Sequence, residues 1–98
     1  MAILIKANGD HSEVKPDSDK GFTLEQMQGF VGGYIEVVHL RNPIRYGDNV
    51  YTMVVVDEEG KLKGKEPNAE ATGYVRGVLN PTDILVGDVV LMEEWEIQ

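Results

Sequence analysis

The clearest hydrophobic pattern in the chain predicts a short amphipathic helix. Leu24, Met27 and Val31 recur at three- and four-residue spacing, so their side chains share one face of a helix. Thr23, followed three residues later by Gln26, has the spacing of a capping box, which satisfies backbone N–H groups at a helix start. We therefore expect a helix that begins after Thr23 and packs this apolar face on a sheet.

The residues after this helix have the pattern of a strand. Gly32 and Gly33 favour helix termination, because glycine adopts the left-handed C-cap conformation without a steric penalty. Residues 34–40 are then rich in β-branched and aromatic side chains, which fit a pleated sheet. Within this strand, His39 is expected to be a partly buried, hydrogen-bonded residue rather than a ligand.

Alternation and turn signals predict further strands on both sides of this unit. Ile3 and Ile5 alternate with their neighbours in a first strand, and the turn at residues 8–10 returns the chain into a short second one. Residues 50–56 are apolar on both faces, which favours a strand in the centre of the sheet or one covered on both sides. Residues 61–63 are expected to begin another strand.

The C-terminal part of the chain is predicted to form a second helix and a last strand. Asn68 is a suitable N-cap, and Asn80-Pro81 is expected to end the helix. The apolar stripe of this helix is formed by Ala71, Tyr74, Val75 and Val78. Residues 84–92 have the pattern of a strand that is interrupted at Gly87-Asp88 by a bulge or a tight turn.

These elements together predict the fold class. Two helices and about five or six strands, joined mostly by short turns, favour an α+β domain with a mainly antiparallel sheet and both helices on one face. Residues 41–49 contain proline, glycine and two arginines and are expected to form a long polar connection. Residues 1–98 are expected to form a single domain.

Composition narrows the classes of function. The formal net charge of −8 disfavours direct binding to DNA or RNA, because phosphate contacts need clustered lysine and arginine. It suits either an acidic inhibitor that mimics nucleic acid or a surface that only keeps the protein in solution. The chain has no cysteine and no apolar run long enough to span a membrane, so we expect a cytoplasmic protein.

Signatures of catalysis and of metal binding are not found in the sequence. Ser12 beside His11 does not form a catalytic triad by adjacency, and the glycines at 29–33 follow a helix instead of preceding one, as a phosphate loop requires. Asp17 and Asp19 lack the remaining ligands of a calcium loop. We therefore predict that the protein is not an enzyme and has no cofactor and no metal.

The strongest candidate for ligand binding is a group of lysines before the second helix. Lys61, Lys63 and Lys65 precede a predicted helix N-terminus, where Asn68 and Thr72 complete an anion site. In the alternative interpretation, the lysines only offset the acidic residues at 57–59. A second candidate patch is formed by Arg41, Arg45 and Tyr46.

Several segments resemble a family of small uncharacterised domains that are carried by bacteriophages, plasmids and their bacterial hosts. The segments lie in collinear order at residues 3–9, 23–38, 57–64, 68–72 and 86–91. The most specific are Val-Gly-Gly-Tyr-Ile-Glu at 31–36 and Gly-Lys-Leu-Lys-Gly at 60–64. Residues 41–49 form a longer connection than is usual in such domains. The resemblance implies a mobile-element origin and supplies no catalytic residues.

This resemblance leads to two hypotheses of function. In the first, a non-enzymatic phage-type module, expected to be a homo-oligomer in the cytoplasm of the bacterial host, captures an anionic nucleotide-like signal and so counters host defence. In the second, an acidic protein-interaction inhibitor covers a basic site on a host defence enzyme. The net charge and the acidic C-terminal residues favour the second hypothesis.

Overall fold

A computed structural model describes residues 2–75 and 84–97. Its strands are β1 (Ala2–Ile5), β2 (His11–Val14), β3 (Ile35–Tyr46), β4 (Asn49–Asp57) and β5 (Val89–Met92). Its helices are α1 (Leu24–Val31), α2 (Ala69–Val75) and a short 3-10 helix at Glu94–Glu96. The strands form one antiparallel sheet in the order β2-β1-β5-β4-β3. The predicted α+β class is confirmed.

The two α-helices lie on opposite faces of the sheet, so the prediction that they share one face is wrong. Met27 and Val31 of α1 belong to a buried cluster on one face, whereas Ala71 and Val75 of α2 belong to a separate cluster on the other. The reason lies in the central strands. Every residue of β1 and of β5 is buried, so both faces of the sheet present apolar side chains and both need a cover.

Helix α1 begins and ends where its sequence predicts. The Thr23 side chain accepts a hydrogen bond from the Gln26 N–H at 3.1 Å, and Gly32 adopts a left-handed conformation with a φ of 80°. The Gln26 side chain does not complete a capping box; it bonds the backbone of Lys15 and Asp17 in the preceding loop. Leu24 is 55% exposed, so it does not share the packed face of Met27 and Val31.

Strands β3 and β4 form a long hairpin in place of the predicted polar connection at 41–49. Pairing resumes with Ile44 opposite Tyr51 and continues to a tight turn at Gly47-Asp48, after an irregularity between His39 and Ile44. The extra residues fit there because a bulge on an edge strand tolerates a proline such as Pro43, which has no N–H to donate. His39 itself is exposed, which corrects its predicted partial burial.

The segment between β4 and α2 consists of turns. The predicted strand at 61–63 is therefore wrong: the Lys63 N–H bonds the Glu59 carbonyl at 2.9 Å, and Leu62 is 87% exposed. Asn68 caps α2, as predicted, by accepting the Ala71 N–H at 3.0 Å. The predicted end of this helix at 80–81, and Val78, lie outside the described residues.

The last strand begins only after the predicted interruption. Gly87 has a φ of 72°, and β5 starts two residues later and inserts between β1 and β4. Within residues 2–75 and 84–97, no helix is long and apolar enough to cross a membrane.

The buried side chain of Tyr51 leads to a first prediction, on how stability depends on pH. Its side chain is fully buried, and burial, followed by the charges of Glu96 and Glu13, raises the pKa of Tyr51 to about 12. Because the unfolded pKa is about 10, the contribution of Tyr51 to stability should be fully present below that pH and fall by roughly 2–3 kcal/mol as the pH rises towards 12. In denaturant titrations across this range, Tyr51→Phe should show a shallower alkaline loss. Tyr34→Phe, at a tyrosine that is 65% exposed, should keep the wild-type profile.

Candidate functional site

A buried carboxylate organises the end of β4. The Asp57 side chain is 1% exposed, and its Oδ2 atom contacts the ammonium groups of Lys65 at 2.7 Å and of Lys63 at 2.9 Å. Its other oxygen, Oδ1, accepts the Glu59 N–H at 2.9 Å. Two lysines therefore converge on one carboxylate, and both oxygens of that carboxylate are hydrogen-bonded.

The electrostatics of Asp57 follow from these contacts. Burial by itself would raise the pKa of Asp57, but hydrogen bonds from Lys65, Lys63 and the Glu59 backbone outweigh it and hold that pKa well below its ordinary value. The carboxyl group stays ionised, and its charge is matched inside the protein. The two lysines are correspondingly less available to an external anion.

The same lysines also bind the end of α1. Lys65 Nζ donates to the Val31 carbonyl at 2.5 Å, and Lys63 Nζ lies 3.4 Å from the Gly32 carbonyl. Carbonyl groups at a helix C-terminus lack intrahelical partners and favour a cation. A Cβ atom on Gly33 would lie 2.8 Å from Asp57 Oδ2, so only glycine allows this close approach. The cluster of Asp57, Lys63 and Lys65 thus joins β4, the following turns and α1.

Asn68 and Thr72 belong to a different network. The fully buried Asn68 amide donates to the carbonyls of Ile5 at 2.9 Å and Gly87 at 2.8 Å. Thr72 Oγ1 accepts the Leu85 N–H at 3.0 Å. The structure therefore divides the predicted anion site: Lys63 and Lys65 surround Asp57, and Asn68 and Thr72 join α2 to the sheet. Lys61 remains exposed.

The second predicted patch is also divided. Arg41 and Arg45 are exposed, and neither forms an ion pair with another described residue. Tyr46 is half-buried, and its hydroxyl bonds His11 Nδ1, while His11 Nε2 lies 3.4 Å from a carboxylate oxygen of Glu70. Adjacent residues on a strand point to opposite faces, so Arg45 and Tyr46 do not share a surface.

A groove that the sequence did not indicate opens on the α2 face of the sheet, beside the Asp57 cluster. We call it the β4 groove; it has a volume of about 350 Å³. Its residues are Glu36, Val38, Val56, Asp57, Glu58, Lys61, Leu62, Ile84, Leu85 and Val86. Leu62 and Ile84 are 87% and 49% exposed, and the exposed charges around them are Glu36, Glu58 and Lys61. The only sequence signal was Leu62, an apolar residue between two lysines.

The chemistry available at the described residues depends on which side chains lie close together. Among residues 2–75 and 84–97, no group of three or more histidine or carboxylate side chains is arranged to hold a metal ion. The β4 groove combines exposed apolar side chains with carboxylates. That combination suits the binding of an apolar, positively charged surface.

Comparison with known families agrees with the resemblance found in the sequence. Residues 1–96 match a family described as a domain of unknown function, DUF3846, and the chain belongs to that family. No curated protein and no solved structure shows significant similarity to the chain. Membership in a family of small domains of unknown function is thus confirmed, and an association with phages and plasmids stays a prediction.

The Asp57 cluster predicts a specific response to acid. The pKa of Asp57 is lowered in the folded state, so its contribution is present above the unfolded pKa of about 4 and is lost as the pH falls below it. Asp57→Asn should lower the free energy of unfolding by about 3 kcal/mol at pH 7, because it leaves two lysines without their carboxylate. It should also reduce the acid dependence of stability. Urea titrations from pH 7 to pH 2 measure both effects, with Glu58→Gln at the exposed neighbour as control.

Replacing Asn68 tests the second network. Asn68→Ala removes the donor to two buried carbonyl groups and the cap of α2, and we expect a loss of about 2–4 kcal/mol in the free energy of unfolding. Asn42→Ala, at an exposed asparagine of β3, should change stability little. Equal and small losses in both variants, measured by chemical denaturation, would contradict the structural role of Asn68.

Proposed function

We propose that this protein is a non-enzymatic binding module that uses the β4 groove to bind a basic, partly apolar segment of another protein. The observation that carries the proposal is the composition of the groove, in which the exposed side chains of Leu62 and Ile84 line the same surface as Glu36 and Glu58. Large exposed apolar side chains with a charged rim are typical of protein interaction sites.

The overall charge supports the same proposal. A net charge of −8 attracts a basic partner over several ångströms and speeds its association at low ionic strength. Together with the mobile-element setting that the sequence resemblance implies, this favours a host defence enzyme with a basic site as partner. We place the interaction in the cytoplasm of a bacterial host as part of the proposal.

The test uses the partner recovered from a host lysate by the wild-type protein and then purified. Leu62→Ser should remove most of the apolar contact, and the double change Glu36→Lys with Glu58→Lys should reverse the charge of the rim. Both variants should weaken binding at least tenfold by surface plasmon resonance. The wild-type association rate should fall as salt rises from 50 to 500 mM.

Glu25→Lys with Asp19→Lys provides the matched control, because it makes the same change in net charge at exposed positions away from the β4 groove. This control should keep most of the affinity. If the control and the groove variants lose affinity equally, the interaction depends on net charge alone. Unchanged binding by the groove variants would reject the groove as the site.

We also propose, as the second candidate, that the protein captures an anionic nucleotide-like molecule. A specific observation favours the arginines of β3 for this role: Arg41 and Arg45 are exposed and have no ion pair among the described residues. Guanidinium groups without a carboxylate partner are suited to bind phosphate. Lys61, which forms no ion pair with another described residue, is the remaining cation of the first predicted site.

Native mass spectrometry of protein purified from host cells distinguishes the two candidates. A released molecule of a few hundred daltons that absorbs like a nucleobase would support capture of a nucleotide. Calorimetry with that molecule should then show lost affinity for Arg41→Ala with Arg45→Ala, whereas Lys20→Ala with Lys15→Ala, at exposed lysines elsewhere, should bind normally. Equal affinity in all variants would exclude the arginine patch.

A further inference from the structure

The two edges of the sheet differ in how well they are protected from pairing with another chain. β2 has four residues, two of them exposed and polar, and is followed by Lys15 and Pro16. β3 has twelve residues. Among the described residues, no strand lies beyond it. A long edge strand presents unpaired backbone groups and is a template for pairing unless charge, proline or a bulge interrupts it.

The register of β3 with β4 identifies the backbone groups that face outward. The Glu58 N–H bonds the Tyr34 carbonyl at 2.8 Å, so these two residues form a hydrogen-bonded pair. In an antiparallel ladder such pairs alternate, and the next are Glu36 with Val56 and Val38 with Val54. The N–H and carbonyl groups of Ile35, Val37 and His39 therefore point away from β4.

Protection of this edge is confined to its C-terminal half. The irregularity after His39, the proline at 43 and the exposed arginines at 41 and 45 all interrupt or charge residues 40–46. Residues 35–39 contain one charge, Glu36, and their Ile35, Val37 and Val38 side chains are half-buried. The open segment is therefore short, regular and mainly apolar, and it ends at a defined point.

We propose that this segment of β3 pairs with the same segment of a second copy of the chain, so that one antiparallel sheet continues through both. A two-fold axis at Val37 places Ile35 of one copy opposite His39 of the other. This register joins all three outward-facing residues of each copy through about six backbone hydrogen bonds.

Neighbouring registers are less favourable. An axis at Glu36 would place two carboxylates directly opposite each other, which is destabilising. An axis at Val38 would require regular pairing at Arg41, inside the irregular segment. The axis at Val37 instead sets Glu36 opposite Val38. A second copy fits because both partners then carry an open segment of equal length that ends at the same irregularity.

This inference concerns a surface other than the one proposed to bind a partner protein, and it does not depend on that function. The interface is small, so we expect a reversible dimer whose population rises with protein concentration. Sedimentation velocity from 5 μM to 1 mM should show monomers converting to dimers. A monomer throughout this range would overturn the proposal.

Amide hydrogen exchange followed by NMR locates the interface. At low concentration the amides of Ile35, Val37 and His39 should exchange rapidly, and at high concentration they should exchange at least tenfold more slowly. The amides of Glu36 and Val38, which face β4, should be protected at both concentrations and serve as the internal control. A dimer without added protection at the three outward-facing amides, or protection independent of concentration, would also overturn it.

Variants at Val37 distinguish the loss of dimerisation from the loss of the folded monomer. Val37→Pro removes an outward-facing N–H and leaves the ladder with β4 intact, so it should stay monomeric at 1 mM with a wild-type circular dichroism spectrum. Val37→Thr keeps the N–H and the strand propensity and should dimerise within about threefold of wild type. If Val37→Pro fails to fold, Val37→Lys places two like charges at the axis and should raise the dissociation constant at least tenfold. Undiminished dimerisation of a folded Val37→Pro or Val37→Lys variant would reject this edge as the interface.

Discussion

The ionised carboxylate of Asp57 is the interaction on which the arrangement of the chain most depends. A buried charge is costly unless it is paired and hydrogen-bonded, and here the cost is offset by Lys63, Lys65 and the Glu59 backbone. Satisfying this one group brings the turns after β4 onto the end of α1 and leaves room only for a glycine at position 33. Burial of one acid therefore determines the position of three segments.

This use of the lysines changes what the surface offers to a partner. Lys63 and Lys65 are bound to Asp57 and to carbonyls of α1, so the neighbouring β4 groove retains Lys61 beside the carboxylates of Glu36 and Glu58. β3 contributes to two surfaces, because Glu36 and Val38 line the groove while the backbone of Ile35 and Val37 faces outward. Pairing of two chains along β3 would set two grooves side by side, and a protein with two basic segments would then bind both at once.

Hydrogen bonds between residues that are close in the sequence were predictable from it. Contacts between residues that are far apart in the chain were not. The cap at Thr23, the helix stop at Gly32 and the cap at Asn68 depend on neighbouring residues, and all three are confirmed. The sequence predicts a cationic group at 61–65 and allows the alternative that these lysines offset nearby acids, but no local pattern shows that Asp57 is buried. The prediction that both helices share one face takes only residues 50–56 as covered on both sides, whereas every residue of β1 and β5 is also buried.

The position of β5 has a consequence for how the chain acquires its structure. Because residues 89–92 lie between β1 and β4, the hairpin of β1 with β2 and the hairpin of β3 with β4 share no ladder until β5 is in place. Such non-local pairing carries a large loop-closure entropy and slows folding. During synthesis on the ribosome, each hairpin would wait with an open edge for residues that are made seconds later, at elongation rates of roughly 5–20 residues per second. The sheet therefore stays divided into two hairpins until residues 89–92 have been made, and chaperones have a period in which to act on the nascent protein.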